Sequence, residues 1–399
     1  MKIALVNNQY QLGGAETIVG QLSRGIAAAG HEVSLHVADG KKYPPGVRAL
    51  YPPLLSRAYH SRLHGIMEKL APRFEWTNRA FRRLAESDAD VIHLHNFHGN
   101  YASIDSLAHV ASRKKLVWTF HALWGVTGGC DHPGDCRRYL EKCGNCPQVG
   151  WWPVGLVDRT AGQLETKLAL LAGRKIRIVA PSRWLAGVVR SSPVGCGWQV
   201  DYIANGVDPG AFIPGSRKSG DKTTILIVNR NFSDEQKGFG IVLGALEAIG
   251  GQDVKIILAG ENSAWAASRI PGGFSVQDSG YVQDRGKLAE LYSAAGIFLF
   301  ASPAENFPCV VLEAMASGCC VVATPTGGVV EQIENGRSGL LAEAIDGQSL
   351  AVPLKQALAN AGLRTSLGLE ARRQVLEHFT DQRMVDEHLK LYREVIDEG

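Results

Sequence analysis

Short apolar runs bounded by polar or glycine-rich turns alternate along this chain with longer stretches whose apolar residues recur at helical spacing. Lys2–Asn7, His31–Val37, Val91–His95, Leu116–His121 and Ile176–Pro181 read as strands. Ala15–Ala29, ended by Gly30, reads as an amphipathic helix. The rhythm restarts with strands at Thr224–Val228, Val254–Gly260, Ser275–Tyr281 and Ile297–Ala301, and with helices near 238–249, 284–294 and 310–317. Near-continuous apolar strands alternating with helices mark a parallel sheet covered on both faces. The pattern predicts an α/β chain with two doubly wound sheets in tandem. The join is expected in the glycine- and proline-rich stretch IANGVDPGAFIPG at 203–215. At 399 residues the chain suits two domains of roughly 200 each. A last helix over Asp381–Val395 carries Met384, Val385, His388, Leu389, Tyr392 and Val395 on one face and must dock.

Charge changes this picture. Residues 1–205 carry 25 Lys and Arg against 15 Asp and Glu, a net +10 within a chain total of +3. The excess suggests an anionic partner for the first half, against an ordinary solvated face. Residues 55–87 add a basic amphipathic stretch, with Tyr59, Leu63, Ile66 and Leu70 on one face and Arg57, Arg62, Lys69 and Arg73 interspersed. It suits an anionic membrane surface or a helical pair on the sheet with snorkelling Arg. No apolar run reaches the roughly 18 residues of a membrane span, and MKIALVNNQY has too short an apolar centre for a secretory leader. A cytoplasmic protein is expected, with no nucleic-acid partner.

Gly13-Gly14-Ala15-Glu16 follows the first strand and opens the first helix, where backbone N–H groups favour a phosphate. It is not the G-x-G-x-x-G of a dinucleotide-binding dehydrogenase. Glu305 follows the strand ending at Ala301, and Glu313 lies in the next helix. Paired carboxylates at the carboxyl end of a parallel strand suit recognition of hydroxyl groups. Four cysteines, Cys130, Cys136, Cys143 and Cys146, have the spacing C-x5-C-x6-C-x2-C. In a reducing compartment that spacing predicts a structural zinc site, with His132 as a possible substitute ligand. Cys196, Cys309, Cys319 and Cys320 read as small buried hydrophobes. His93 and His95 share one face of a strand, and with His98 they admit a zinc hydrolase or deaminase reading. The alternative places HLHNFHGNY along an acceptor site, with His95 or Asn96 bonding acceptor hydroxyls. Trp118, Trp124, Trp151 and Trp152 either stack on a sugar or fill the core.

The block PAENFPCVVLEAMASGCCVVATPTGGVVEQIENGRSGLL resembles the signature of retaining family-four glycosyltransferases of the GT-B fold, in which two Rossmann-like domains face one another across a cleft. GGAE near the start, IANGVD before the second domain and the terminal helix fit the same family. The Cys-rich insert at 128–148 and the ENFP loop are most similar to bacterial exopolysaccharide enzymes of the colanic-acid cluster type. The resemblance implies a first domain of 1–205 completed by the helix at 381–399, and a nucleotide-sugar-binding domain at 206–380. It implies a nucleotide-diphosphate sugar, UDP- or GDP-linked, and a glycan or lipid-linked acceptor. Glu313 would accept from ribose hydroxyls, and Glu305 would contact the donor sugar with the backbone of Asn306 and Phe307 nearby. Lys237 would neutralise the leaving diphosphate, Gly13 and Gly14 would offer it backbone N–H groups, and His121 would face the sugar. The family usually has a Gly-Arg pair about five residues before the Lys; here Arg230 follows Asn229 and precedes Lys237 by seven. No catalytic metal is expected. A non-catalytic nucleotide- or glycan-binding scaffold is the remaining alternative.

Overall fold

The computed structural model describes residues 1–10, 13–38, 43, 46–50, 75–98, 101–215, 223–251 and 253–398. Most of the basic amphipathic stretch, 55–74, lies outside these residues. The chain divides into two compact units, one of Met1–Ile203 with the residues from Val385 onward, the other Ala204–Met384.

Unit one is built on a seven-stranded sheet in the order β3-β2-β1-β4-β5-β6-β7. Its strands are β1 Lys2–Asn7, β2 Glu32–Val37, β3 Val47–Ala49, β4 Val91–His95, β5 Lys115–Thr119, β6 Arg177–Ala180 and β7 Gln199–Tyr202, all paired in parallel. β1 is apolar from Ile3 to Val6 and buried there, as a sheet covered on both faces requires. The order reverses between β1 and β4, so the loops leaving these two strands open at the switch point where such sheets bind ligands. One core face gathers Phe81, Ile92, Leu94, Trp118, Phe120, Trp124 and Trp198. The sugar-stacking alternative is thereby closed for Trp118 and Trp124, which are core residues, whereas Trp151 and Trp152 are exposed.

Unit two repeats the plan with six parallel strands, β8 Thr223–Asn231, β9 Val254–Glu261, β10 Ser275–Asp278, β11 Ile297–Phe300, β12 Cys320–Ala323 and β13 Leu340–Leu341. Their order is β10-β9-β8-β11-β12-β13, so its switch point lies between β8 and β11. Two apolar clusters, one centred on Ile225, Leu258 and Val322 and one on Leu226, Phe298 and Val321, sandwich this sheet. The predicted strands and helices recur with ends moved by at most three residues: the helix expected at 310–317 runs Cys309–Ala316, and the strand expected to end at Val228 continues to Asn231.

The last helix, Asp381–Asp397, buries Val385, His388, Leu389, Leu391 and Tyr392 in unit one. A Cβ on Gly25 would overlap the Val385 methyls, so the first helix needs glycine there to receive it. Among the described residues no helix is long and apolar enough to cross a membrane.

The expected zinc site is a correction. Among the described residues no group of three or more His, Cys, Asp or Glu side chains could hold a metal ion, and none of the eight cysteines is in a disulfide. Cys130 is buried, and burial pushes its thiol up to about 12. Burial raises Cys143 as well, and that side chain packs on the core cluster of unit one. Buried Lys167 fixes the turn just before the insert, its side chain donating to the carbonyls of Trp124 and Thr127 and sitting over the Trp124 ring. Cys319 and Cys320 are buried as expected, whereas Cys196 is exposed.

Candidate active site

The sequence-predicted residues of unit two meet at its switch point. Beyond β8 the chain makes a single 3-10 turn, Glu235–Lys237, capped by the Asp234 carboxylate accepting from Gln236 N. Gly238 follows with φ +71, and a Cβ there would overlap the Ala301 carbonyl just beyond β11. That close approach brings Lys237 to the loop carrying Glu305. Lys237 Nζ donates to Glu305 Oε1 at 2.7 Å, and both side chains are partly exposed. The Glu305 carboxylate holds the Lys237 ammonium above its ordinary range. Ser302 Oγ donates to the same Glu305 oxygen at 3.3 Å. Arg230, exposed at the end of β8, is near enough to oppose the Lys237 charge. The departure in spacing therefore still leaves two cations within electrostatic reach of one another.

The Glu305 loop is braced from behind. Thr326 Oγ1 donates to the Pro303 carbonyl at 3.0 Å, and Gly328 N donates to the Asn306 carbonyl at 2.6 Å. Gly327 has φ +48, and a Cβ there would run into the Glu305 carbonyl oxygen. Asn205 Nδ2 donates to the Phe307 carbonyl at 2.8 Å. Asn306 and Phe307 are both buried.

Glu313 is buried rather than solvated. Its Oε1 accepts from Arg285 at 3.2 Å and its Oε2 from the Tyr292 hydroxyl at 3.2 Å. Burial lifts its carboxyl above the usual range, while Arg285 and the Tyr292 bond pull it back. A carboxylate oxygen can accept two hydrogen bonds. The Cys309 thiol is pushed up to about 12, first by burial and next by Glu313, and it also feels Glu305, so both carboxylates border this helix start. Arg285 and Tyr292 were not legible in the sequence. They stand 28 and 21 residues before Glu313, and the only local signal is Asp284 capping the helix that presents them.

In unit one the loops after β1 and β4 also meet. Gly13 is extended and the helix Gly14–Ala28 begins at once. Asn96, at φ +41, donates from Nδ2 to Glu16 Oε1 at 3.2 Å. Asn7 Nδ2 approaches the same oxygen at 3.5 Å. His93, the base of the alternative metal reading, has both ring nitrogens engaged, with Tyr392 Oη and Thr119 Oγ1 at 2.7 Å each. His95 Nδ1 meets His121 Nε2 at 3.0 Å. Burial holds His93 and His95 well below the usual imidazole range and brings His121 to about 4. The group is therefore neutral near pH 7. His98 is buried, with Nε2 3.3 Å from Asn8 Nδ2, and its ring meets Trp152 edge to face.

Comparison with known proteins decides the family. The pattern described as Glycosyltransferase Family 4 matches residues 12–211, half of the chain, and Glycosyl transferases group 1 matches 222–360. The chain belongs to glycosyltransferase family 4. A putative colanic acid biosynthesis glycosyl transferase, WcaC of Escherichia coli, is 24% identical over 79% of each chain. A phosphatidyl-myo-inositol mannosyltransferase of Mycolicibacterium smegmatis is 26% identical over 91% of this chain and 86% of its own. Among solved structures, a sucrose-phosphate synthase of Thermosynechococcus elongatus superposes with TM-score 0.75 at 19% identity, covering 100% of both chains. HepE of Anabaena, solved with UDP-glucose, superposes with TM-score 0.68 at 16% identity, also over 100% of both. The fold of this glycosyltransferase is GT-B.

Proposed function

We propose that this glycosyltransferase moves a hexose, with retention of anomeric configuration, from a UDP- or GDP-sugar to a glycan or lipid-linked acceptor in bacterial surface polysaccharide synthesis. The observation that carries the reading is the Lys237–Glu305 pair at the switch point of unit two, beside buried Glu313. A nucleoside diphosphate needs cations for its phosphates and carboxylates for its hydroxyls, and this site offers both. Lys237, with Arg230, neutralises the leaving diphosphate. Glu305 accepts from the sugar hydroxyls, with the backbone of Asn306 and Phe307 beside it. Glu313 accepts from the ribose. In unit one, Gly13 and Gly14 present helix N-terminal N–H groups to phosphate, His121 faces the sugar, and His95, at the end of β4, and Asn96, in the loop after it, lie on the acceptor side.

In the transfer step the bond from C1 to the phosphate oxygen breaks as the acceptor oxygen bonds C1 from the same face, and the departing phosphate oxygen takes the acceptor proton. Positive groups aimed at that oxygen lower the barrier because charge grows there. Lys237 and Arg230 supply this charge, so the proposed catalysis uses no metal. The related HepE structure with UDP-glucose and the name of WcaC support the donor and pathway classes. Incubation with a panel of UDP- and GDP-sugars, with the product's anomeric proton coupling read by NMR, tests the proposal. An α-product from an α-linked donor is expected; inversion refutes the retaining scheme.

Arg285 opposes the rise in the Glu313 carboxyl range. Arg285→Met therefore lets Glu313 keep its proton to higher pH. Donor affinity is expected to fall about tenfold near neutrality, the cost of one charge-assisted hydrogen bond. The acid limb of the affinity profile should move to higher pH, as measured by donor Kd between pH 5 and 8.

Membrane contact is proposed through the loop at 149–157. It holds no charged residue, closes on itself through Gly155 N to Trp151 O, and exposes Trp151 (49%), Trp152 (61%) and Leu156 (82%). Trp beside aliphatic residues suits a bilayer interface, and the net +10 of the first half suits anionic lipid. Replacing both Trp151 and Trp152 with Ser should release the protein from anionic vesicles in a sedimentation assay. Unchanged sedimentation removes the loop from this role.

A further inference from the structure

We infer that His95 is a positioning residue that fixes His121 as an N–H donor, at Nδ1, toward the donor sugar; this rests on the proposed placement of that sugar beside His121. Strands β4 and β5 run in register with His95 opposite Thr119, which brings the His95 ring to the turn after β5 where His121 stands. His95 is fully buried, and its Nδ1 lies 3.0 Å from His121 Nε2. Its other nitrogen, Nε2, is buried and has no hydrogen-bond partner among the described residues. His121 is only half-buried.

Both rings are neutral, so each carries one N–H, and only one of the two can point its proton into the shared bond. If His121 donated from Nε2, the His95 proton would sit on Nε2, a buried N–H with no acceptor. If His95 donates from Nδ1, the unpartnered atom is a bare acceptor nitrogen. Buried orphan donors are rarer and costlier than under-satisfied acceptors. The second arrangement therefore holds, and it puts the His121 proton on Nδ1.

His93 locks the arrangement from beside. Its nitrogens are occupied by Tyr392 and Thr119, so it offers nothing to His95, and its ring lies 4.0 Å from that of His95. His388 stacks on His93, ring centroids 5.4 Å apart. With its proton on Nδ1 and its Nε2 filled, His121 accepts no proton from the acceptor hydroxyl. It donates to an oxygen of the donor sugar, which leaves the departing diphosphate as the proton's destination.

The test is a long-range nitrogen–proton correlation spectrum of the full chain labelled at histidine, with His95 and His121 assigned by substitution. The proposal expects protonated Nδ1 and bare Nε2 at His121. His95→Asn, whose amide nitrogen stands near the position of Nδ1, should keep that tautomer and stay within about threefold of wild-type kcat. His95→Leu should mix the tautomers and lower kcat roughly 10-fold to 100-fold, the range for loss of a supporting contact, with the donor KM changing less. A His121 proton on Nε2 in the wild-type protein overturns the proposal, whether or not His95→Leu folds. So does a His95→Leu protein with unchanged tautomer and kcat. If no donor is turned over, the functional reading falls while the spectrum still decides the tautomer.

Discussion

Lys237→Ala lowers kcat/KM for sugar transfer by about 10²–10³-fold while unit two stays folded. The size follows from the charge that develops on the leaving diphosphate. Removing one preorganised donor from such a site typically costs about 3–4 kcal/mol, and each 1.4 kcal/mol is roughly tenfold in rate. Lys237 suits the role because its ammonium is held by Glu305 at 2.7 Å before any ligand arrives and is partly exposed, so phosphate can reach it. The same geometry explains why the fold survives. The 3-10 turn that carries Lys237 is fixed by the Asp234 cap, by Asn229 Nδ2 donating to the Lys237 carbonyl, and by Gly238, none of which uses the ammonium. Steady-state kinetics with the accepted donor, beside a thermal melt, check both halves. Wild-type turnover by Lys237→Ala would remove the residue from the reaction.

Gly327→Ala is expected to disable donor binding by a different route. At φ +48 an alanine backbone costs roughly 1–2 kcal/mol. Its Cβ would also overlap the Glu305 carbonyl oxygen, which is backbone and cannot rotate away. The Glu305 loop must therefore move, and with it the carboxylate that holds Lys237 and the Asn306 carbonyl that accepts from Gly328 N. Donor affinity should fall at least tenfold and the melting temperature should drop by several degrees. Gly328→Ala is the control: its φ of −80 admits a side chain, and only the loss seen at Gly327 should be large. Equal behaviour of the two variants would contradict the bracing role given to this turn.

The parts of the molecule that were legible in the sequence are those where one residue type has one physical use. Apolar runs such as Ile3–Val6 allow only a strand covered on both faces, so β1 and β4 have the bounds the pattern predicts. Glu305 and Glu313 were visible because a carboxylate beside an apolar strand end has few structural uses. Their partners were not visible. Arg285 and Tyr292 reach Glu313 through a helix that periodicity places but does not orient against its neighbour. The pairing of His95 with His121 needs the register of β4 on β5, which neither strand states alone. The cysteine cluster misled because tight spacing along the chain does not by itself make a ligand set: Cys130, Cys143 and Cys146 lie within electrostatic reach of one another, yet among the described residues no group could hold a metal ion. Cys130 is buried, Cys143 packs on the core cluster, and Lys167 fixes the turn before the insert.

The central claim is that unit two holds a nucleoside diphosphate through Lys237, Glu305 and Glu313. Isothermal titration of the full chain with UDP and GDP tests it most directly, with Glu313→Ala titrated alongside. The account predicts saturable binding of one nucleotide to the wild-type chain and at least tenfold weaker binding to the variant, whose fold is verified by its melt. No binding of either nucleotide to the wild-type chain, or equal affinity in the variant, would contradict it.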